Sequence, residues 1–349
     1  MKTNTTSIIQ QVNQSIAGIF LGATLAGNAI ADDFSVRGDL LSRVSITANR
    51  FNDKPNIRNA HWRARLSPEY KSESIDVGVR AVLEGATIPN LDARLQEDNS
   101  GIDNDLGIDR AYARFKLNPV TITLGAQDNP FVQTNPITDP NMGFVGIRAD
   151  VQVRPDLKVQ IMYDAGRLLT EDTSTSLTGA QVIYEKEIGT VKIIGNLGYQ
   201  HVLELDDEFL QGNHENSKFD IVSAGLSGII KETPLGLVSF AGEIIKNFAE
   251  SEQNFGYVMR VKVGDTSKRN GVAVSLIHYS FEANSLLGGL LNRDSPGSNT
   301  TNIVGLLEWK ATDNATIYLL SGNPRHIVPT SVHDNERQRA IEAGIKIEF

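Results

Sequence analysis

Residues Val145 to Arg154 read VGIRADVQVR, and their pattern decides the fold. Val145, Ile147, Ala149, Val151 and Val153 are all apolar, while Gly146, Arg148, Asp150, Gln152 and Arg154 fall between them. Successive side chains of a β-strand point to opposite sides, so this segment has one fully apolar face and one charged face. Leu157, Val159, Ile161 and Tyr163 alternate in the same way with Lys158, Gln160, Met162 and Asp164. So do Ala111, Ala113, Phe115 and Leu117 with Arg110, Tyr112, Arg114 and Lys116, and Val191, Ile193, Leu197 and Tyr199 with Lys192, Asn196 and Gln200. A soluble antiparallel sandwich alternates too, so strand length, strand number and connections have to decide.

Carried along the chain, the period of two predicts about sixteen strands. They lie near 34–49, 60–68, 75–84, 107–117, 120–127, 143–154, 157–165, 176–187, 190–200, 217–231, 235–248, 253–263, 271–282, 300–311, 315–321 and 338–349. A length of roughly ten residues is what a tilted strand needs to cross a bilayer. The connections sort by parity. After even strands come tight turns at Asn118-Pro119, Pro155-Asp156, Ile188-Gly189, Glu232-Thr233-Pro234 and Asp313-Asn314. After odd strands come long polar stretches at 85–106, 128–142, 166–175, 201–216, 283–299 and 322–337. The 249–252 connection is shorter than this rule predicts, and those at 69–74 and 264–270 are longer. Short turns on one rim and long loops on the other are the plan of outer-membrane barrels, with the short rim in the periplasm. A sandwich has no reason to sort its loops in this way. The expected fold is all-β: a closed antiparallel transmembrane β-barrel of about 16 strands with short periplasmic turns and long extracellular loops.

Composition agrees. The 349 residues include no cysteine, which excludes a disulfide scaffold and any Cys-based metal or redox site. A formal charge of −9 argues against a nucleic-acid binder, which needs a basic face. A mean hydropathy of −0.20 excludes a polytopic helical membrane protein but not a barrel, where every second residue is wet.

The two ends carry their own signals. Lys2 in a polar start, the short apolar run Ile16 to Leu25, and Ala29-Ile30-Ala31 before Asp32-Asp33 form the pattern of a secretory signal peptide cut after Ala31. The apolar run is too short to span a bilayer. The expected organisation is therefore a signal peptide at 1–31 and one barrel domain at 32–349. Losing Lys2 leaves 32 bases against 42 acids, a charge of −10. At the other end Ile341, Ala343, Ile345, Ile347 and Phe349 alternate with Glu342, Gly344, Lys346 and Glu348, an amphipathic last strand. This end resembles the C-terminal signature of bacterial outer-membrane barrels, whose final aromatic helps present the strand to the assembly machinery.

Residues 110–150 resemble the bacterial "putative porin" family, a relative of the trimeric general porins. The resemblance rests on Arg110-Ala111-Tyr112-Ala113-Arg114-Phe115, Leu124-Gly125-Ala126-Gln127-Asp128-Asn129-Pro130-Phe131, Asp139-Pro140-Asn141-Met142-Gly143 and Gly146-Ile147-Arg148-Ala149. It implies a strand, a tight turn, a second strand and a third extracellular loop at 128–142 folded into the pore. It also implies a homotrimer in the outer membrane of a Gram-negative cell. The loop lacks the tryptophan that the family would place there.

Sixteen strands enclose an aqueous channel, so function rests on what lines its narrowest section. One face of the early strands is basic: Arg37, Arg43, Arg63, Arg65, Arg80, Arg110, Arg114, Lys116 and Arg148. The third loop offers Asp128 and Asp139, stiffened by Pro130, Pro136 and Pro140. By the resemblance, Arg63, Arg65, Arg80, Arg110, Arg114 and Arg148 facing Asp128 and Asp139 form the constriction, where rings of charge set ion preference. The plainer alternative is a solvated strand face neutralised by Asp39, Asp76 and Glu84. The six histidines show no ligand spacing, and no nucleotide or hydrolase motif is in a supporting context. The expected function is a porin, a passive diffusion channel for small hydrophilic solutes and ions. Its partners are outer-membrane lipid and those solutes, with no nucleic acid, cofactor, metal or chemical step. The rivals are a solute-specific channel, a barrel with lipase or protease activity, and a structural or adhesive barrel.

Overall fold

The computed structural model describes residues 34–49, 57–87, 103–131, 143–165, 176–204, 218–234, 236–286, 299–327 and 338–349. The expected leader and Asp139 lie outside them.

Strands β1 (Phe34–Asn49), β2 (Ile57–Lys71), β3 (Ile75–Thr87), β4 (Asp103–Lys116), β5 (Val120–Asp128), β6 (Gly143–Arg154), β7 (Leu157–Asp164) and β8 (Ser176–Ile188) form the first half of one sheet. The sheet continues through β9 (Val191–Glu204), β10 (Asp220–Thr233), β11 (Gly236–Asn247), β12 (Phe255–Gly264), β13 (Val272–Phe281), β14 (Thr300–Lys310), β15 (Ala315–Gly322) and β17 (Gln338–Glu348). The two-residue β16 (Arg325–His326) pairs with the start of β14 and takes no part in the ring. Every other strand pairs antiparallel with its neighbour, and β1 pairs with both β2 and β17, so sixteen strands close into a barrel. Closure matters because hydrocarbon offers no partner to an unpaired backbone group.

The predicted spans recur with shifts at the ends, and β2 shows why. It runs on to Lys71, so the connection to β3 is only 72–74 and obeys the short-turn rule. Pro68 hides this extension in the sequence, because proline usually ends a strand; here Glu69, Tyr70 and Lys71 still pair with Gly78, Val77 and Asp76. The turn after β12 remains long, at 265–271. In the tight β8–β9 turn Gly189 adopts φ +59°, a conformation that glycine takes without steric cost.

The alternation sorts side chains between lipid and lumen. Val44, Ile147, Ile161, Leu197, Leu226, Ile244, Met259, Val274, Leu276 and Ile303 all lie on the outer wall and are exposed. Tyr70 and Trp309 lie towards the short-turn rim and Tyr163 and Tyr199 towards the long-loop rim, all outward, where amphipathic rings suit a bilayer interface. At the seam, Phe349 exchanges backbone hydrogen bonds with Gly38 at 2.7 and 2.9 Å, and its ring fills the space that a Cβ at Gly38 would occupy.

Candidate functional site in the lumen

The inner wall is two-sided. Strands β1–β6 and β17 carry most of its ion pairs, and each cation expected at the constriction has an acid beside it. Asp39 on β1 accepts from Arg65 at 2.8 Å and lies 3.9 Å from Arg63. Asp76 on β3, almost fully buried, lies 2.7 Å from Lys116 and 3.5 Å from Arg114. A β-bulge between β3 and β4 inserts Asp109, whose carboxylate takes two bonds from Arg80 at 2.7 and 2.8 Å. Such forked guanidinium–carboxylate contacts are the strong form of the interaction. Asp128, at the end of β5, accepts from Arg110 at 2.7 Å and lies 3.6 Å from Arg80. Arg80, Arg110, Asp109 and Asp128 thus make one cluster of balanced charge, with Arg110 only 3% exposed. Tyr112, between Arg110 and Arg114 on the same face, lies over Gly78 and donates to Glu69 at 2.7 Å. A side chain at Gly78 would meet that ring at 2.8 Å.

Arg148 on β6 starts a chain of bonds that crosses the wall. It donates to Asp150 at 3.0 Å, and Asp150 accepts from Gln160 on β7. Gln181 on β8 donates to Gln160 at 2.5 Å and to the carbonyl of Pro130 at 2.6 Å. The root of the third long connection is therefore tied to the inner wall of β7 and β8. Phe131 confirms the direction, since its ring lies against Gly179 on the inner face of β8.

Strands β6–β14 carry the other side. Phe144, Met162, Leu177, Ile221, Ile245, Val258, Tyr279, Phe281 and Val304 point inward and are buried, together with Phe131, Phe219 and Leu286 from the roots of long connections. Asn247, fully buried, ties two of these roots by donating to the carbonyls of Lys218 and Asn284 at 2.7 and 2.8 Å. Leu286, the first residue of the apolar LLGGLL run, is thus turned into the lumen; residues 287–291 lie outside the described residues.

Of the eight expected constriction residues, Arg63, Arg65, Arg80, Arg110, Arg114 and Arg148 face the lumen, and Asp128 binds two of them. Asp128 stands beside the arginines rather than across from them. Asp39 and Asp76, weighed in the sequence as neutralising neighbours, do neutralise. Asp109 was hidden because a bulge breaks the period of two. The inward Arg260 and Lys262 were legible in the alternation of 255–264 but lie far in sequence from the third loop.

A closed sixteen-strand antiparallel ring with an apolar outside and a charged lumen defines an outer-membrane channel barrel of the porin class. The chain belongs to the "putative porin" family, whose sequence model matches residues 22–212. Its fold is similar to that of Pseudomonas putida OprB in the high-pH structure, with TM-score 0.62, 11% identity, and 91% of this chain and 94% of that chain covered. The low-pH OprB structure gives 0.57 at 8% identity, covering 91% and 93%. An engineered variant of the Rh. blastica porin gives 0.52 at 11% identity, covering 90% and 100%. No curated protein sequence matches the chain.

Proposed function

We propose that this porin is a passive diffusion channel for small hydrophilic solutes and ions, driven only by their gradients, and that its waist is set by Arg63, Arg65, Arg80, Arg110, Arg114 and Arg148 with Asp128 and Asp139. The observation that carries the proposal is the concentration of lumenal charge on β1–β6, alongside the third-loop root tied inward by Gln181. Paired charges on a wall offer hydrated solutes successive weak partners, and conduction needs binding that is favourable but easily left. The protein works in the outer membrane as a homotrimer, by family resemblance, after cleavage behind Ala31.

Purified, refolded protein in a planar lipid bilayer tests the proposal. Stable conductance steps that scale with salt concentration are expected. A folded, heat-modifiable sample without such steps would sink it. Mass spectrometry of the exported protein should give a chain starting at Asp32, and cross-linking in detergent should stop at three copies.

A further inference from the structure

Among the described residues most lumenal cations away from the strand ends have acidic partners, and Arg260 has none. Arg43 lies 3.5 Å from Glu342, Lys262 donates to Glu308 at 2.6 Å, and the arginines of β2, β3, β4 and β6 are paired as described. Arg260, the sixth residue of β12, points inward between Val258 and Lys262 and makes no hydrogen bond or ion pair among the described residues. Its Nε is fully buried and without a partner. Across the register, Arg260 stands opposite Ala241 on β11 and Ile277 on β13, neither of which can neutralise it. Lys262 stands opposite Ser275, which places that residue diagonally beside Arg260 on the same inner face. The Ser275 hydroxyl is also buried and has no partner. The acids nearest along these strands are Glu308, occupied by Lys262, and the buried Glu243, which opposite Val258 stands diagonally beside Arg260 on the same face but makes no ion pair with it.

We propose that Arg260, with Ser275 beside it, is a binding site for the oxyanion group of a passing solute, a carboxylate or a phosphate. A partly desolvated guanidinium with no carboxylate has lost water without regaining an ion partner, and a forked oxyanion supplies what it lacks. The balanced clusters of β1–β6 are already satisfied, so the unpaired cation, rather than the larger arginine group, holds anions in transit. This assignment rests on the porin reading and deepens it.

The test uses the full-length protein in planar bilayers with chloride as carrier, adding acetate or inorganic phosphate to one side. In the wild type, current falls with added anion and saturates. In Arg260→Gln the apparent affinity drops about tenfold, the scale of one charge-assisted bond, while conductance steps persist. Arg260→Lys, which keeps the charge but loses the fork, weakens the block less. Ser275→Ala weakens it without moving the reversal potential. Block by phosphate alone or by acetate alone identifies which oxyanion the site takes. A conducting wild type without saturable block overturns the site but leaves the channel intact. Undiminished block in Arg260→Gln, or in Arg260→Lys if the glutamine variant does not fold, also overturns it. A wild type without conductance overturns the channel itself.

Discussion

Asp76 holds together two cations that would otherwise repel. Its carboxylate is 3% exposed and lies within ion-pair distance of both Lys116 and Arg114. Losing that buried carboxylate leaves two part-exposed cations side by side without their shared partner. Asp76→Asn should therefore lower the temperature at which the barrel loses heat-modifiability on gels. It should also move the reversal potential in a salt gradient towards anions, since two positive side chains are released into the lumen. Charge reversal of Arg114 and Arg148 to Glu should move it towards cations. An unchanged potential in both cases would show that this wall does not govern permeation. In the turn after β12, Asp265 accepts from the Ser267 amide and hydroxyl, each at 2.8 Å, and these bonds hold its carboxyl below the usual range. A depressed folded pKa means that the turn's stabilisation is present above the unfolded value of about 3.9 and is lost as pH falls through the folded value. Carbon-13 titration of the Asp265 carboxyl should give a midpoint below about 3.9.

Among the elements, the strands were the most legible part of the sequence, because a bilayer outside and water inside impose a period of two. In β6 the two faces read directly from residues 145–154. In β4 the register fails at Asp109, where the bulge turns two successive residues towards the same cluster; no alternation rule announces this. The ion pairs were only partly legible, since partners such as Asp39 and Arg65 meet across a register that the sequence does not print. The inward apolar residues of β10–β14 were hidden for a different reason. Ile221, Ile245 and Val258 look like outward residues out of phase until Phe131, Phe219 and Leu286 are seen to cover them. The tie between β8 and the third connection is testable at this scale. Gln181→Leu removes the donor to the Pro130 carbonyl and should raise open-channel current noise with little change in assembly. Noise equal to that of the wild type would show that the loop root is held by Phe131 alone.

For the whole molecule, stability and location follow from the same partition. The outer wall is apolar through its middle, and a charge there meets hydrocarbon. Leu276, exposed at mid-strand on β13, is such a position. Leu276→Lys should destabilise the folded barrel in bilayers by about 2–4 kcal/mol, measured by reversible denaturation, whereas the same change on the lumenal side should cost far less. Equal costs on the two sides would contradict the assignment of inside and outside.

The seam between β1 and β17 has a consequence for biogenesis. Arg43 faces Gly344, and Gly38 is bonded to Phe349, so β1 finds its second neighbour in β17, the strand farthest from it in chain order. No partial product can shut the ring. Until β17 pairs, β1 keeps one margin bare. A chain clipped of β17 should therefore fail to close the ring and stay protease-sensitive in detergent under conditions in which the full chain resists digestion.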